Sequence, residues 1–155
     1  MNELAQTIST AFASEYRMRA AELHRLVDPL SGEQFWRNPY SYGNSVGHLV
    51  LHLTGNLSYY VGARIAENGY IRNRDLEFTE SRRPSNVEVL RKFDDAIALV
   101  IATIERQSEA DWTSPYSAER EPEAKNRFTL FLRCATHFYH HVGQINYLCR
   151  ELAKA

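Results

Sequence analysis

Apolar residues in this chain recur at steps of three and four, and no stretch sustains the two-residue alternation of a half-buried strand. Its long elements must therefore be helices. The first periodic segment runs from Asn2 to Val27, with Leu4, Ile8, Phe12, Tyr16, Leu23 and Leu26 on its stripe. Asp28-Pro29 ends it, because proline disfavours helical geometry in the residue before it. The second starts at Asn44 or Ser45, both good N-caps, and runs to Asn68, with Gly69 as a left-handed stop. Gly47, Gly55 and Gly62 lie on it. Each costs up to about 1 kcal/mol relative to alanine, and close packing against a neighbouring element would account for them. The third segment opens at Pro84, with Ser85 and Glu88 in the capping-box pattern, and carries Leu90, Ile97, Val100, Ile101 and Ile104. The fourth runs from Asn126 to Leu152, with Phe128, Phe131, Ala135, Phe138, Val142, Ile145 and Cys149 in near-heptad spacing.

Leu30 to Gly43, Tyr70 to Arg83 and Gln107 to Lys125 read as connectors. Phe35, Trp36 and Tyr40 are expected to fold back onto the core, and Trp112 to anchor the last connector. Four helices with three connections predict an all-α protein, a four-helix bundle in one domain over residues 1–155. The connections, at roughly 15 to 19 residues, are long for helix–helix links, so simple up-down-up-down order is not required.

Composition narrows the function. Lys and Arg total 18 against 19 Asp and Glu, a formal charge of −1, which argues against a surface built to neutralise phosphates. Nucleic acid is not an expected partner. With 44% hydrophobic and 24% charged residues, the 155-residue chain is neither disordered nor fibrous and can bury a core without disulfides. Cys134 and Cys149 are separated by roughly 22 Å along one helix, too far to pair, and read as buried apolar residues of a reducing cytoplasm. The N-terminus lacks the basic start and continuous apolar run of a signal peptide. Asn38 to Ala63 contains no Asp, Glu, Lys or Arg, yet Asn44, Ser45, His48, His52, Thr54, Asn56 and Ser58 make it too polar for a lipid-facing span. An uncharged but polar helix suggests a buried element carrying a site.

Five of the six histidines fall on two helices: His48 and His52 on the second, and His137, His140 and His141 on the fourth. Histidines four apart share a helix face, with Cβ atoms about 6 Å apart, so both rings can reach one ion. A third imidazole from a facing helix would complete an open site of the kind that characterises catalytic metals. Phe138 stands where a zincin helix needs Glu, and no Glu-x-x-His pair of the di-iron bundles occurs. Such a donor set suits zinc, nickel, iron or copper. His140 points roughly 80° away from the 137/141 pair. His24, alone, reads as a surface or internally satisfied residue. Spacing does not choose between His48 and His52. His52 lies roughly 12 Å from the start of its helix and the 137/141 midpoint roughly 20 Å from either end of the fourth, so a shared site is allowed in either pairing direction.

The run Asn44-Ser45-Val46-Gly47-His48-Leu49-Val50-Leu51-His52, followed by His137-Phe138-Tyr139-His140-His141-Val142-Gly143-Gln144, resembles the DinB-like superfamily. That superfamily includes the YfiT-type metal-dependent hydrolases and the bacillithiol and mycothiol S-transferases. The resemblance implies a bundle in up-down-down-up order, with a long connection between helices two and three. It also implies a homodimer, and a divalent zinc or nickel ion held by His52, His137 and His141. Counting seven residues on from Ser45 selects His52. The chain departs from the family pattern at Phe138, where Glu is frequent.

Three neutral imidazoles leave an ion its full positive charge, able to polarise a substrate oxygen, lower the pKa of bound water to about 7, or hold a thiolate. The expected activity is accordingly a metal-dependent hydrolase or thiol S-transferase acting on a small molecule, a low-molecular-weight thiol among the candidates. No catalytic side chain can be named from the spacing. Asn56, Tyr59, Arg133 and Gln144 are candidates to support the ligands, and Cys134 could approach the ion. The alternative is a non-catalytic metal-binding bundle serving dimerisation or binding.

Overall fold

The computed structural model describes residues 3–154; among them there is no strand, only one isolated bridge between Pro115 and Asn126. In chain order the helices are α1 (Glu3–Val27), α2 (Gly32–Trp36), α3 (Val46–Leu57), α4 (Leu76–Thr79), α5 (Asn86–Glu105), α6 (Glu109–Thr113) and α7 (Arg127–Leu152). A π-helical turn, Ser58–Ala63, continues α3. The expected first helical residue, Asn2, lies outside the described residues, as do the outer ends of the expected domain.

Local chemistry sets the helix ends. Ser45 caps α3 by accepting from the His48 N–H, and Ser85 caps α5 by accepting from the Glu88 N–H. The expected capping box of α5 is only half formed, because the Glu88 carboxylate pairs with Lys92 at 2.8 Å. Asn126 and Thr129 make a full capping box at the start of α7. The second helix ends earlier than its periodicity predicts. Its last turn widens, with the Arg64 N–H donating to the Tyr59 carbonyl at 3.1 Å, and the Tyr116 hydroxyl donates to the Tyr60 carbonyl at 3.1 Å. Gly69 is left-handed (φ 77°), but it lies in the connector beyond the helix end and does not stop the helix.

The three connectors are not plain loops. Capping boxes at Ser31/Gln34 and Ser108/Asp111 start α2 and α6 inside the first and third, and α4 forms inside the second. Phe35, Trp36 and Trp112 are buried as expected; Trp112 stacks on Phe12 at 5.6 Å. Tyr40 is not in the core. It stacks on Tyr42 at the surface.

Each of α1 and α3 packs against both α5 and α7, and α3 also carries α2 and α4. The shared core includes Tyr16, Leu53, Phe93, Phe131, Phe138 and Ile145, all fully buried. Tyr16 satisfies its hydroxyl by donating to the Phe131 carbonyl at 3.0 Å. The part of the uncharged segment that forms α3 is largely buried in this core, and among the described residues no helix is long and apolar enough to cross a membrane.

Two glycines let neighbours approach α3. A Cβ on Gly47 would lie 2.6 Å from the Trp36 ring, and one on Gly55 would overlap the Glu77 carboxylate. Close packing of α2 and α4 is therefore the reason for both.

Candidate metal centre

The seventh residue of α3 and the eleventh and fifteenth of α7 converge. His137 Nε2 lies 3.1 Å from His52 Nε2 and 3.0 Å from His141 Nε2. One ligand atom from each of the three histidines lies within 4.8 Å of the other two, a group able to hold a metal ion. His52 is buried, and His137 and His141 are half-buried.

The hydrogen bonds behind the rings decide which nitrogens face inward as acceptors. His52 Nδ1 is 2.8 Å from Glu77 Oε2, and His141 Nδ1 is 2.7 Å from Gln144 Oε1. Both partners are acceptors, so both Nδ1 atoms carry the proton and both Nε2 atoms present bare lone pairs. These two lone pairs face the same His137 nitrogen. One proton there can serve only one of them, and His137 Nδ1 is itself buried without a partner. The set is thus short of positive charge at its centre, which a cation supplies. The two separations from His137 come close as well, since nitrogens about 2.0–2.1 Å from a tetrahedral zinc lie about 3.3 Å apart.

Burial keeps the His137 and His141 rings neutral. Burial, and then the neighbouring imidazoles His141 and His52, push His137 down to about 3. Burial is also the main cause that takes His141 down to about 4. Neutral imidazole is the form that binds metal. Burial would raise the Glu77 carboxyl, but hydrogen bonds from His52 and Arg72 hold it below the usual carboxylate range. Arg72 grips it with Nε on Oε1 at 2.7 Å and Nη2 on Oε2 at 2.9 Å.

The other histidines lie elsewhere. His48 shares the His52 face but turns to Ser45 Oγ (2.8 Å) and the Glu80 carbonyl (3.2 Å), with its ring edge-on to Trp36. Both its nitrogens are engaged. His140 is exposed and packs its ring on His141 at 5.1 Å, facing a groove of about 530 Å³ lined by Tyr40, Tyr42, Leu49, Gln144 and Tyr147. His24 bridges Asp28 and Asp94.

Of the expected supporting residues, Gln144 alone bonds a ligand ring. Arg133 pairs with Glu121 at 2.9 Å, Tyr59 packs on Tyr60, and Asn56 is buried with its Oδ1 unpartnered. Cys134 is buried outside the three-histidine group, and burial pushes its thiol up to about 12, so it offers no thiolate. Phe138 is fully buried against Tyr16 and Phe93, facing the core and not the histidines. Sequence reasoning missed Glu77 and Arg72. They sit in a connector rich in charge, where an Arg and a Glu five apart read as solvated.

Long helices that bring imidazoles from two distant segments to one point define a class, the helical proteins with a histidine-only candidate metal centre. The chain belongs to the DinB superfamily, whose sequence profile matches residues 15–145, a span that includes His52, His137 and His141. No curated protein and no solved structure matches it.

Proposed function

We propose that this protein is a metal-dependent enzyme that binds one divalent zinc or nickel ion through His52, His137 and His141 and acts on a small molecule as a hydrolase or thiol S-transferase. The observation that carries the reading is the convergence of three Nε2 atoms, two of them fixed as acceptors from behind, at 3.0 and 3.1 Å contacts. Superfamily membership supports it.

His52, His137 and His141 would hold the ion through neutral donors, and the charge it keeps would supply Lewis-acid chemistry toward water, a thiol or a substrate oxygen. The chain's own residues do the rest. Glu77 and Gln144 hold the protons of His52 and His141 on the outer nitrogens, so the inner ones stay free to coordinate. Glu77 lies behind His52 and offers no general base on the inner side. The groove beside His140 and Gln144, lined by tyrosines and no charged residue, is the proposed approach for a neutral small molecule.

The four long helices are read as a bundle in up-down-down-up order. Assembly as a homodimer, action in the cytoplasm and independence of nucleic acid and membrane complete the proposal.

Elemental analysis of the purified protein tests it. About one equivalent of zinc or nickel is expected in the wild type and close to none in His137→Ala. Equally low metal in both, after growth with each metal supplied, refutes the reading.

A further inference from the structure

We propose that Glu77 is the positioning residue of this centre, a carboxylate clamped by Arg72 that orients His52 and places a negative charge behind it. The inference rests on the metal-centre reading and assigns a role to a residue outside the three ligands.

Three features single out Glu77. Both its oxygens are engaged: Oε1 accepts from Arg72 Nε at 2.7 Å, and Oε2 accepts from Arg72 Nη2 at 2.9 Å and from His52 Nδ1 at 2.8 Å. A carboxylate that only accepts leaves His52 one tautomer, with Nε2 bare toward His137. The assembly is also dry, with Glu77 6% exposed and the Arg72 side chain 9% exposed, so solvent does little to screen it. Finally, the fold makes room for it. The carboxylate lies on α3 at Gly55, where any Cβ would overlap it, while Phe78, the next residue of α4, packs on the His52 ring at 4.8 Å.

The short helix α4 thus holds His52 by edge and face together. The other two rings have nothing comparable. His141 has an uncharged amide behind it, and His137 Nδ1 has no partner. A charged acceptor behind a ligating imidazole raises its basicity and fixes its orientation, and losing one commonly weakens metal binding 10- to 100-fold. His52 is therefore the anchored ligand, and Glu77 sets how tightly the site closes.

The test pairs zinc competition titrations at pH 7 with nitrogen-15 NMR of the histidine rings in metal-free protein. In the wild type, His52 should carry its proton on Nδ1. Glu77→Gln retains an acceptor but no charge, so the tautomer should persist while zinc affinity falls about 10-fold. Glu77→Ala should lose the tautomer preference and bind zinc about 100-fold more weakly. Gly55→Ala, which displaces the carboxylate without removing it, should also weaken binding. Thermal melting of each metal-free variant checks folding. Should Glu77→Ala fail to fold, the double variant Arg72→Met with Glu77→Gln removes both buried charges together and takes its place. Zinc affinity equal to wild type in folded Glu77 variants, or a wild-type His52 protonated on Nε2, overturns the role of Glu77 alone. A wild type that binds neither zinc nor nickel overturns the metal centre and this inference with it.

Discussion

Single residues on α3 show how tightly side-chain volume is set around the centre. Gly47 lies under the Trp36 ring, and Gly55 under the Glu77 carboxylate. Alanine is the better helix former by about 1 kcal/mol, but a methyl at 47 must displace a ring held by an indole N–H bond to the Pro84 carbonyl at 3.0 Å. Overpacking of this kind costs about 1–3 kcal/mol. Gly47→Ala should therefore lower the unfolding free energy by up to about 2 kcal/mol, read as a lower urea midpoint at unchanged slope. A gain in stability would mean that the ring moves freely. The glycines were legible in the sequence as contact points, because nothing else explains three of them in one expected helix. What they contact was not legible, since Trp36 and Glu77 reach them from separate connectors. The same holds for His48 and His52. Four residues apart on one face, they differ only in what the rest of the chain places beside them: Ser45 and the Glu80 carbonyl for one, Glu77 and His137 for the other.

Between elements, α1 and α5 are joined by a pH-sensitive contact. His24, near the end of α1, meets Asp28 at 3.0 Å and Asp94 of α5 at 2.7 Å. Burial works to lower its pKa, but hydrogen bonds to Asp94 and Asp28 outweigh that and raise it above 6.5. A raised folded-state pKa means stability that is fully present below about 6.5 and is lost as pH rises through the higher folded value. Denaturation of the wild type across pH 6 to 9 should show this alkaline loss, and His24→Gln should flatten it. An unchanged slope in the variant would show that the contact titrates without consequence. The four long helices were visible from periodicity because each needs only its own apolar stripe. The short helices α2, α4 and α6 were not, because four or five residues carry no measurable period and owe their structure to what they pack on. The miss mattered most at α4, which delivers Glu77.

At the scale of the whole molecule, the centre ties α3 to α7, so an ion there links two of the long helices. An ion present at 100 times its dissociation constant adds about 2.7 kcal/mol. For a chain of this size that is about 5–10 °C in Tm. Chelation at pH 7 should therefore lower Tm by about that amount, and a Tm indifferent to chelator would show that the centre contributes nothing to folding. Acid acts in the same direction. In the metal-free protein His137 and His141 are pushed down to about 3 and about 4 by burial, so below about 6.5 the unfolded chain binds protons that the folded one refuses. Stability should fall from about pH 6.5 down through pH 4 and then 3, and bound metal should be released early in that descent, as protons compete for the rings. Replacing both residues with Gln should flatten the acid limb. By itself the sequence determined that the chain is helical, where the long helices lie and cap, and which histidines share a helix face, because period and capping are properties of neighbours along the chain. Spacing left His48 and His52 level and only the family resemblance chose between them; tertiary structure brought His52 to His137 and His141 and decided that Glu77 and Arg72 stand behind it. The His52–Glu77 and His52–His137 contacts join residues 25 and 85 positions apart, where only packing and the exclusion of water determine which polar groups find each other.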